Sequence, residues 1–170
     1  MKRQNIVLIG FMGTGKTTVG KLLSKQMDWS FVDTDQLVEQ REGKTIPELF
    51  ATRGEAYFRN VESEVIHECL QKSHQIVATG GGSVLNKTNR ERMQENGFVV
   101  ALTAEADTII RRVKHDRNRP LLHGNVEDSV RKILVERKEA YHFADLTVDT
   151  TYSNFEETLQ TILEAWKRRV

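Results

Sequence analysis

The sequence holds a single cysteine, Cys69, in 170 residues. No intramolecular disulfide can form, and no Cys/His cluster has the spacing of a zinc site. That absence suits a reducing compartment and makes the cytoplasm the expected location. Proline is almost as scarce, with only Pro47 and Pro120, and no Ser/Gly-rich linker, low-complexity tract or internal repeat interrupts the chain. A surplus of one charge sign is missing too. The formal net charge of +1 sets up no field that would gather nucleic acid, so an anionic ligand has to be held by local groups of Arg and Lys. No apolar stretch approaches the roughly 20 residues of a membrane-spanning helix. The basic start Met1-Lys2-Arg3-Gln4 leads through a short apolar run into glycines instead of a cleavage site, so no signal peptide is expected. No long apolar patch is identifiable either, which favours a monomer.

What remains is ordinary globular material, with 38% hydrophobic and 29% charged residues. At this length one domain, residues 1–170, buries about two thirds of the surface of the unfolded chain. Short apolar runs ending in Gly or Asp alternate with amphipathic stretches, the pattern of βα units that build a parallel sheet. The expected strands are Ile6 to Ile9, Ser30 to Val32, Ile76 to Thr79, Phe98 to Leu102 and Leu146 to Val148. Expected helices are Thr17 to Met27, Glu55 to Leu70, Asn89 to Glu95, Asp107 to Val113 and Val126 to Tyr141. A last helix is expected to begin at Ser153, where Ser153-Asn154-Phe155-Glu156 has capping-box spacing, and to end near Arg169.

Between the first strand and first helix stands Gly10-Phe11-Met12-Gly13-Thr14-Gly15-Lys16-Thr17, the G-x-x-x-x-G-K-[ST] pattern in the strand-to-helix context that gives it meaning. Glycines let successive backbone N–H groups point at phosphate oxygens. Lys16 puts a compact charge on the β and γ phosphates, and the Thr17 hydroxyl is placed to ligate Mg²⁺. Gly13, Thr14, Gly15, Lys16, Thr17 and Thr18 are therefore the candidate nucleotide contacts. No Asn/Thr-Lys-x-Asp motif for reading guanine is present, which favours ATP as the co-substrate.

In an open parallel sheet, ligands sit beyond the carboxyl ends of the strands. Asp33-Thr34-Asp35 follows the second strand and Gly80-Gly81-Gly82 the third. Asp33 is a candidate to hold a water of the Mg²⁺ shell, and Asp35 to withdraw the proton of an acceptor hydroxyl. Helix capping is the alternative use of either aspartate. Three glycines in a row imply close backbone approach by a ligand, so Gly80, Gly81 and Gly82 are candidate substrate contacts. Arg59 and Glu62 are three apart on a helix, so the carboxylate can hold the guanidinium as a fork for a substrate carboxylate. Phe58, Val61, Val65 and Cys69 form its core stripe. Arg111 to Asn125 is crowded with cations and suits an exposed loop that can close over ATP and exclude water. Arg119 would then reach the phosphates, and Arg112 is a candidate to lie on the adenine. None of the five histidines has a carboxylate partner at clear spacing, so none is assigned a role.

The set Gly10 to Thr17, Asp33-Thr34-Asp35, Phe58-Arg59-x-x-Glu62, Gly80-Gly81-Gly82 and Arg119-Pro120-Leu121-Leu122 resembles the shikimate kinases, over residues 6 to about 149. The resemblance implies an α/β fold of three layers. Its five-stranded parallel sheet would have the order 2-3-1-4-5 of the nucleoside monophosphate kinases, with a substrate-binding helical region at about 34–62 and a lid at about 112–125. It implies that ATP phosphorylates the 3-hydroxyl of shikimate in the route to chorismate and the aromatic amino acids. It also implies that Asp35, Arg59 and Gly81 bind shikimate, that Thr17 ligates Mg²⁺ with Asp33 behind it, and that Arg119 is the lid arginine. A second carboxylate-binding arginine of the family stands in an Arg-x-Pro-Leu-Tyr pattern; here Arg137-Lys138-Glu139-Ala140-Tyr141 keeps the arginine and loses Pro and Leu. The competing readings are a gluconate kinase of the same fold and a catalytically idle ATP-binding regulator.

Overall fold

The computed structural model describes residues 4–114 and 124–169. Strand β1 (Asn5–Gly10) is buried at every position because it lies at the middle of a five-stranded sheet ordered β2-β3-β1-β4-β5. Its partners are β3 (Gln75–Ala78) and β4 (Phe98–Thr103), while β2 (Ser30–Asp33) and β5 (Leu146–Asp149) form the edges. All pairings are parallel, with Ile6 opposite Ile76 on one side and Phe98 on the other. The order and direction are those that the family resemblance implies.

A strand covered on both faces presents alternate residues to two different cores. Ile6 and Leu8, with Val100 and Leu102, pack against Val19 and Leu23 of α1 (Lys16–Met27) and Ile162 of α8 (Phe155–Arg169). Val7 and Ile9, with Val99 and Ala101, pack against Ile66 and Leu70 from α4 (Glu55–Cys69) and its end, and against Met93 of α5 (Lys87–Asn96). Each such large side chain contributes about 1.5–3 kcal/mol by leaving water. The crevice at the carboxyl end of β1, where the chain turns from one half of the sheet to the other, is the place this topology leaves for ligands.

Two further helices, α2 (Thr34–Glu42) and α3 (Ile46–Arg53), fill the stretch between β2 and α4. Apolar periodicity does not mark them; caps do. Asp33 accepts hydrogen bonds from the backbone N–H groups of Asp35 and Gln36, and Thr45 with Glu48 forms a reciprocal capping box. Together with α4 they enclose a separate core of Val38, Leu49, Phe58, Val61, Val65 and Cys69, so the expected stripe of α4 is in place. Burial pushes the Cys69 thiol up, as suits a small apolar side chain.

Three expectations shift. The last helix is capped one residue later than read: Asn154 accepts from the Glu157 N–H, and Glu157 accepts from the Asn154 N–H. The Ser153 hydroxyl instead donates to the Asp149 carbonyl. The single helix expected over Val126 to Tyr141 stops as α7 (Val126–Arg137) and tightens into a 3₁₀ turn, Lys138–Tyr141, because Tyr141 is drawn into the core beside Ile9 and Val99. His142 does have a partner, Glu139, at 2.8 Å. Before α7 lies α6 (Ala106–Val113); most of the expected lid, with Arg119, His115 and His123, falls outside the described residues. Among those residues no helix is long and apolar enough to cross a membrane.

Candidate active site

The loop from β1 to α1 is shaped by its glycines. Gly10 has φ of 144°, and a Cβ there would collide with the Leu102 carbonyl oxygen. Gly10→Ala is therefore expected to lower stability by about 1–3 kcal/mol from backbone strain alone, read as a fall in the urea midpoint. Inside the loop the Thr14 hydroxyl donates to the Phe11 carbonyl at 2.8 Å. The Lys16 ammonium donates to the Gly10 and Phe11 carbonyls at 2.8 and 2.9 Å, which folds its charge back over the loop at the N-terminus of α1. The far rim is tied down by Thr150, whose hydroxyl is 3.0 Å from the Thr14 carbonyl. Arg112 donates to the Gly13 carbonyl at 2.8 Å and to the Thr150 carbonyl at 3.0 Å.

Of the two uses the sequence left open for Asp33, the structure shows the helix cap and leaves its second oxygen beside Thr17. One oxygen, Oδ1, caps α2; the other, Oδ2, accepts from the Thr17 hydroxyl at 3.3 Å. Gly13, Gly15, Lys16, Thr17, Thr18, Asp33, Asp35, Gly80 and Gly81 line one cavity of about 260 Å³. A hydroxyl beside a carboxylate oxygen is a hard donor pair that fits Mg²⁺. Among the described residues no group of three or more His, Cys, Asp or Glu side chains could hold a metal.

Across the glycine triplet lies a second, adjoining cavity of about 450 Å³, bordered by Glu55, Arg59, Glu62, Gly82 and Leu85. Gly80 and Gly81 face the first cavity and Gly82 the second, so the triplet is the ridge between them. For Gly80 and Gly82 the structure adds a cause beside the ligand approach expected from the sequence. A Cβ on Gly80 would stand 2.7 Å from both Asp35 Oδ1 and Glu62 Oε2, and one on Gly82 would overlap the Arg59 guanidinium. The backbone is bare because three charged side chains press against it.

Arg59 is gripped by Glu62 at 2.8 Å and more loosely by the half-exposed Glu55 at 3.5 Å. Glu62 itself is only 1% exposed. Burial pushes its carboxyl up, and the Arg59 and Arg137 guanidiniums pull it back. Arg137 reaches the same place from α7: it is buried, its guanidinium lies 5.9 Å from the Phe11 ring centre, and its Nη1 is 3.5 Å from where a Gly81 Cβ would stand. It also lines a neighbouring cavity of about 420 Å³ that shares Glu55 and Leu85 with the second. Two residues of the site escaped sequence reasoning. Thr150 follows the last strand with no motif around it. Tyr141, whose hydroxyl donates to the Gly81 carbonyl at 2.8 Å, was visible only as the end of a helix and of the Arg137 motif, with no role assigned.

The arrangement provides a phosphate loop with a cation, a hydroxyl paired with a carboxylate, a second carboxylate in the same cavity, and two arginines beyond a glycine ridge. The profile of the shikimate kinase family matches residues 12–167. A shikimate kinase of Thermodesulfovibrio yellowstonii is 42% identical over 166 residues, covering 97% of this chain and 96% of its own. The structure of shikimate kinase from Acinetobacter baumannii in complex with shikimate superposes with a TM-score of 0.94 at 35% identity, over 99% of this chain and 95% of that one. A gluconokinase from Sinorhizobium meliloti shares the fold, with a TM-score of 0.62 at 17% identity over 98% and 93% of the two chains. Site geometry and whole-chain similarity agree, and the chain belongs to the shikimate kinase family.

Proposed function

We infer that this protein transfers the γ-phosphoryl group of ATP to the 3-hydroxyl of shikimate, giving shikimate 3-phosphate and ADP in the route to chorismate. The observation that carries the reading is the shared cavity, in which the phosphate loop and Asp35 face one another while Arg59 stands across the glycine ridge. The backbone of residues 13 to 18 and the Lys16 ammonium hold the phosphates. Arg59 and Arg137 take the acceptor carboxylate and set the ring so that one hydroxyl points at Asp35. As that oxygen bonds to the γ-phosphorus, the bond to the β-phosphate oxygen breaks and the hydroxyl proton passes to Asp35. Thr17 Oγ1, directly, and Asp33 Oδ2, through a water, are the groups that would hold Mg²⁺. That ion supplies positive charge against the β and γ oxygens.

The rest of the reading follows from the same site. The chain acts as one cytoplasmic domain and a monomer, residues 34–62 receive shikimate, and the segment at 112–125 closes as a lid. Arg119 then meets the phosphates and Arg112 lies on the adenine. Partners are small molecules only, with neither nucleic acid nor membrane.

ADP release, followed separately with shikimate, quinate and gluconate, tests this directly. Turnover is expected with shikimate, and its absence would overturn the reading. Arg59→Ala is expected to raise the shikimate KM about 30-fold or more with the ATP KM little changed, since a hydrogen bond to a charged group is worth about 1.5–3 kcal/mol. An equal rise in both constants would remove Arg59 from the acceptor site.

A further inference from the structure

Arg137 raises a question that its location alone does not answer, namely what aims it. Among the described residues no carboxylate pairs with it, in contrast to Arg59, which has two. The helix that carries it ends on it, with φ of −98° and ψ of −2°, so the backbone gives it no continuing helical turn to lie against. Proline and leucine, which the Arg-x-Pro-Leu-Tyr pattern would place after it, are replaced by Glu139 and Ala140. What does follow is a 3₁₀ turn that brings Tyr141 back toward the site.

We propose that Tyr141 is a positioning residue for the acceptor carboxylate: its hydroxyl, set between the Arg137 guanidinium and the Gly81 carbonyl, fixes the direction of both. The proposal rests on the assignment of shikimate as acceptor and deepens it. A phenol has one proton to give and lone pairs to offer. Here the proton goes to the Gly81 carbonyl at 2.8 Å, and Arg137 Nη1 lies 3.5 Å from where a Gly81 Cβ would stand, so toward that guanidinium, which can only donate, the hydroxyl has only lone pairs to offer. Burial raises the Tyr141 phenol above its ordinary range, while Arg137 and, further off, Arg59 draw it down; those guanidiniums are the charges that bear on it. The donor proton is accordingly in place at neutral pH.

Packing by itself leaves the ring partly unsupported. One side lies in the core with Ile9 and Val99. The other borders a cavity of about 410 Å³ with Leu134, Val135, Lys138 and His142. With open space on that side, the bond to Gly81 sets the position of the hydroxyl. Gly81 is also the ridge residue that Arg137 approaches, so one hydroxyl couples the second arginine to the backbone that separates the two cavities.

Tyr141→Phe in the full-length protein tests this, with shikimate and ATP varied separately. The expected result is a shikimate KM raised about tenfold, kcat within about twofold, and the ATP KM and melting temperature unchanged. In an Arg137→Ala background the same substitution is expected to add less than about twofold, because its target is gone. An unmoved shikimate KM, a parallel rise in the ATP KM, or a full tenfold effect without Arg137 would each overturn the proposal. If the Phe variant does not fold, 3,5-difluorotyrosine at position 141 replaces it. This more acidic phenol loses its donor proton as pH rises and then competes with the substrate for Arg137, so the shikimate KM should climb with pH beyond the wild-type profile. Superimposed profiles would be the contrary result. Wild-type protein with no shikimate turnover would overturn the function itself, a different outcome from a working enzyme indifferent to Tyr141.

Discussion

Asp35→Asn is expected to lower kcat by about 10²- to 10⁴-fold while leaving the KM for ATP within about threefold. The size of the loss follows from how the carboxylate is held. Asp35 is the second residue of α2, and its N–H donates to Asp33 Oδ1 at 3.0 Å, which fixes its backbone. Its Oδ1 is buried against Gly80, and the residue lines the cavity that the phosphate loop shares. An asparagine fits the same space, so the fold and the phosphate cradle stay as they are. It has no basic oxygen to take a proton in the transition state, and one of its two orientations would turn an amide N–H₂ toward the attacking hydroxyl. The contrast with the phosphate side is the test: Asp35 touches none of the loop's internal hydrogen bonds to Gly10, Phe11 or Thr14 carbonyls. A kcat that falls less than tenfold in steady-state assays at saturating ATP would remove Asp35 from proton transfer.

How far the sequence alone could lead depended on whether the physics of a feature is local. The phosphate loop is contiguous and works through its own backbone, so spacing displayed it in full, from Gly10 to Thr17. The sheet was equally plain because β1, β3 and β4 are continuous apolar runs between turn signals. Helix α2 was hidden for the opposite reason: Leu37 and Val38 are its only large apolar residues, too few to show a period, and it stands on its Asp33 cap and on contacts with α4. The end of α7 was hidden because neither proline nor glycine marks it. The chain departs from the helix there to bury Tyr141, which no local propensity dictates. The Ser153 cap was a near miss of the same kind, since Asn154 with Glu157 offers the same chemistry one residue on. Arg59 and Glu62 were readable from their spacing of three. The crowding at Gly80 and Gly82 beside them was not, as it depends on side chains that arrive from α2 and α4.

That crowding yields the other large effect. Gly82→Ala is expected to raise the shikimate KM about 30-fold, close to the effect of removing Arg59, with almost no loss of stability. Gly82 has φ of −92° and ψ of −2°, a conformation alanine adopts freely, so the backbone does not resist the change. The obstacle is the Arg59 guanidinium, which the new methyl would overlap. A guanidinium at the end of a flexible side chain can move aside, so the fold accommodates the methyl. Moving it, however, undoes the geometry that makes Arg59 useful. Its 2.8 Å bond to the buried Glu62 follows the shift and is kept, but its fork no longer faces a carboxylate at the ridge. Loss of one or two charge-assisted hydrogen bonds, each worth about 1.5–3 kcal/mol, corresponds to the expected change in KM. A melting temperature within about 2 °C of wild type, an ATP KM unchanged, and a shikimate KM raised toward that of Arg59→Ala make up the predicted pattern. If the variant instead loses several degrees of stability and keeps its shikimate KM, the glycine serves the fold and Arg59 is held by something other than the space Gly82 leaves.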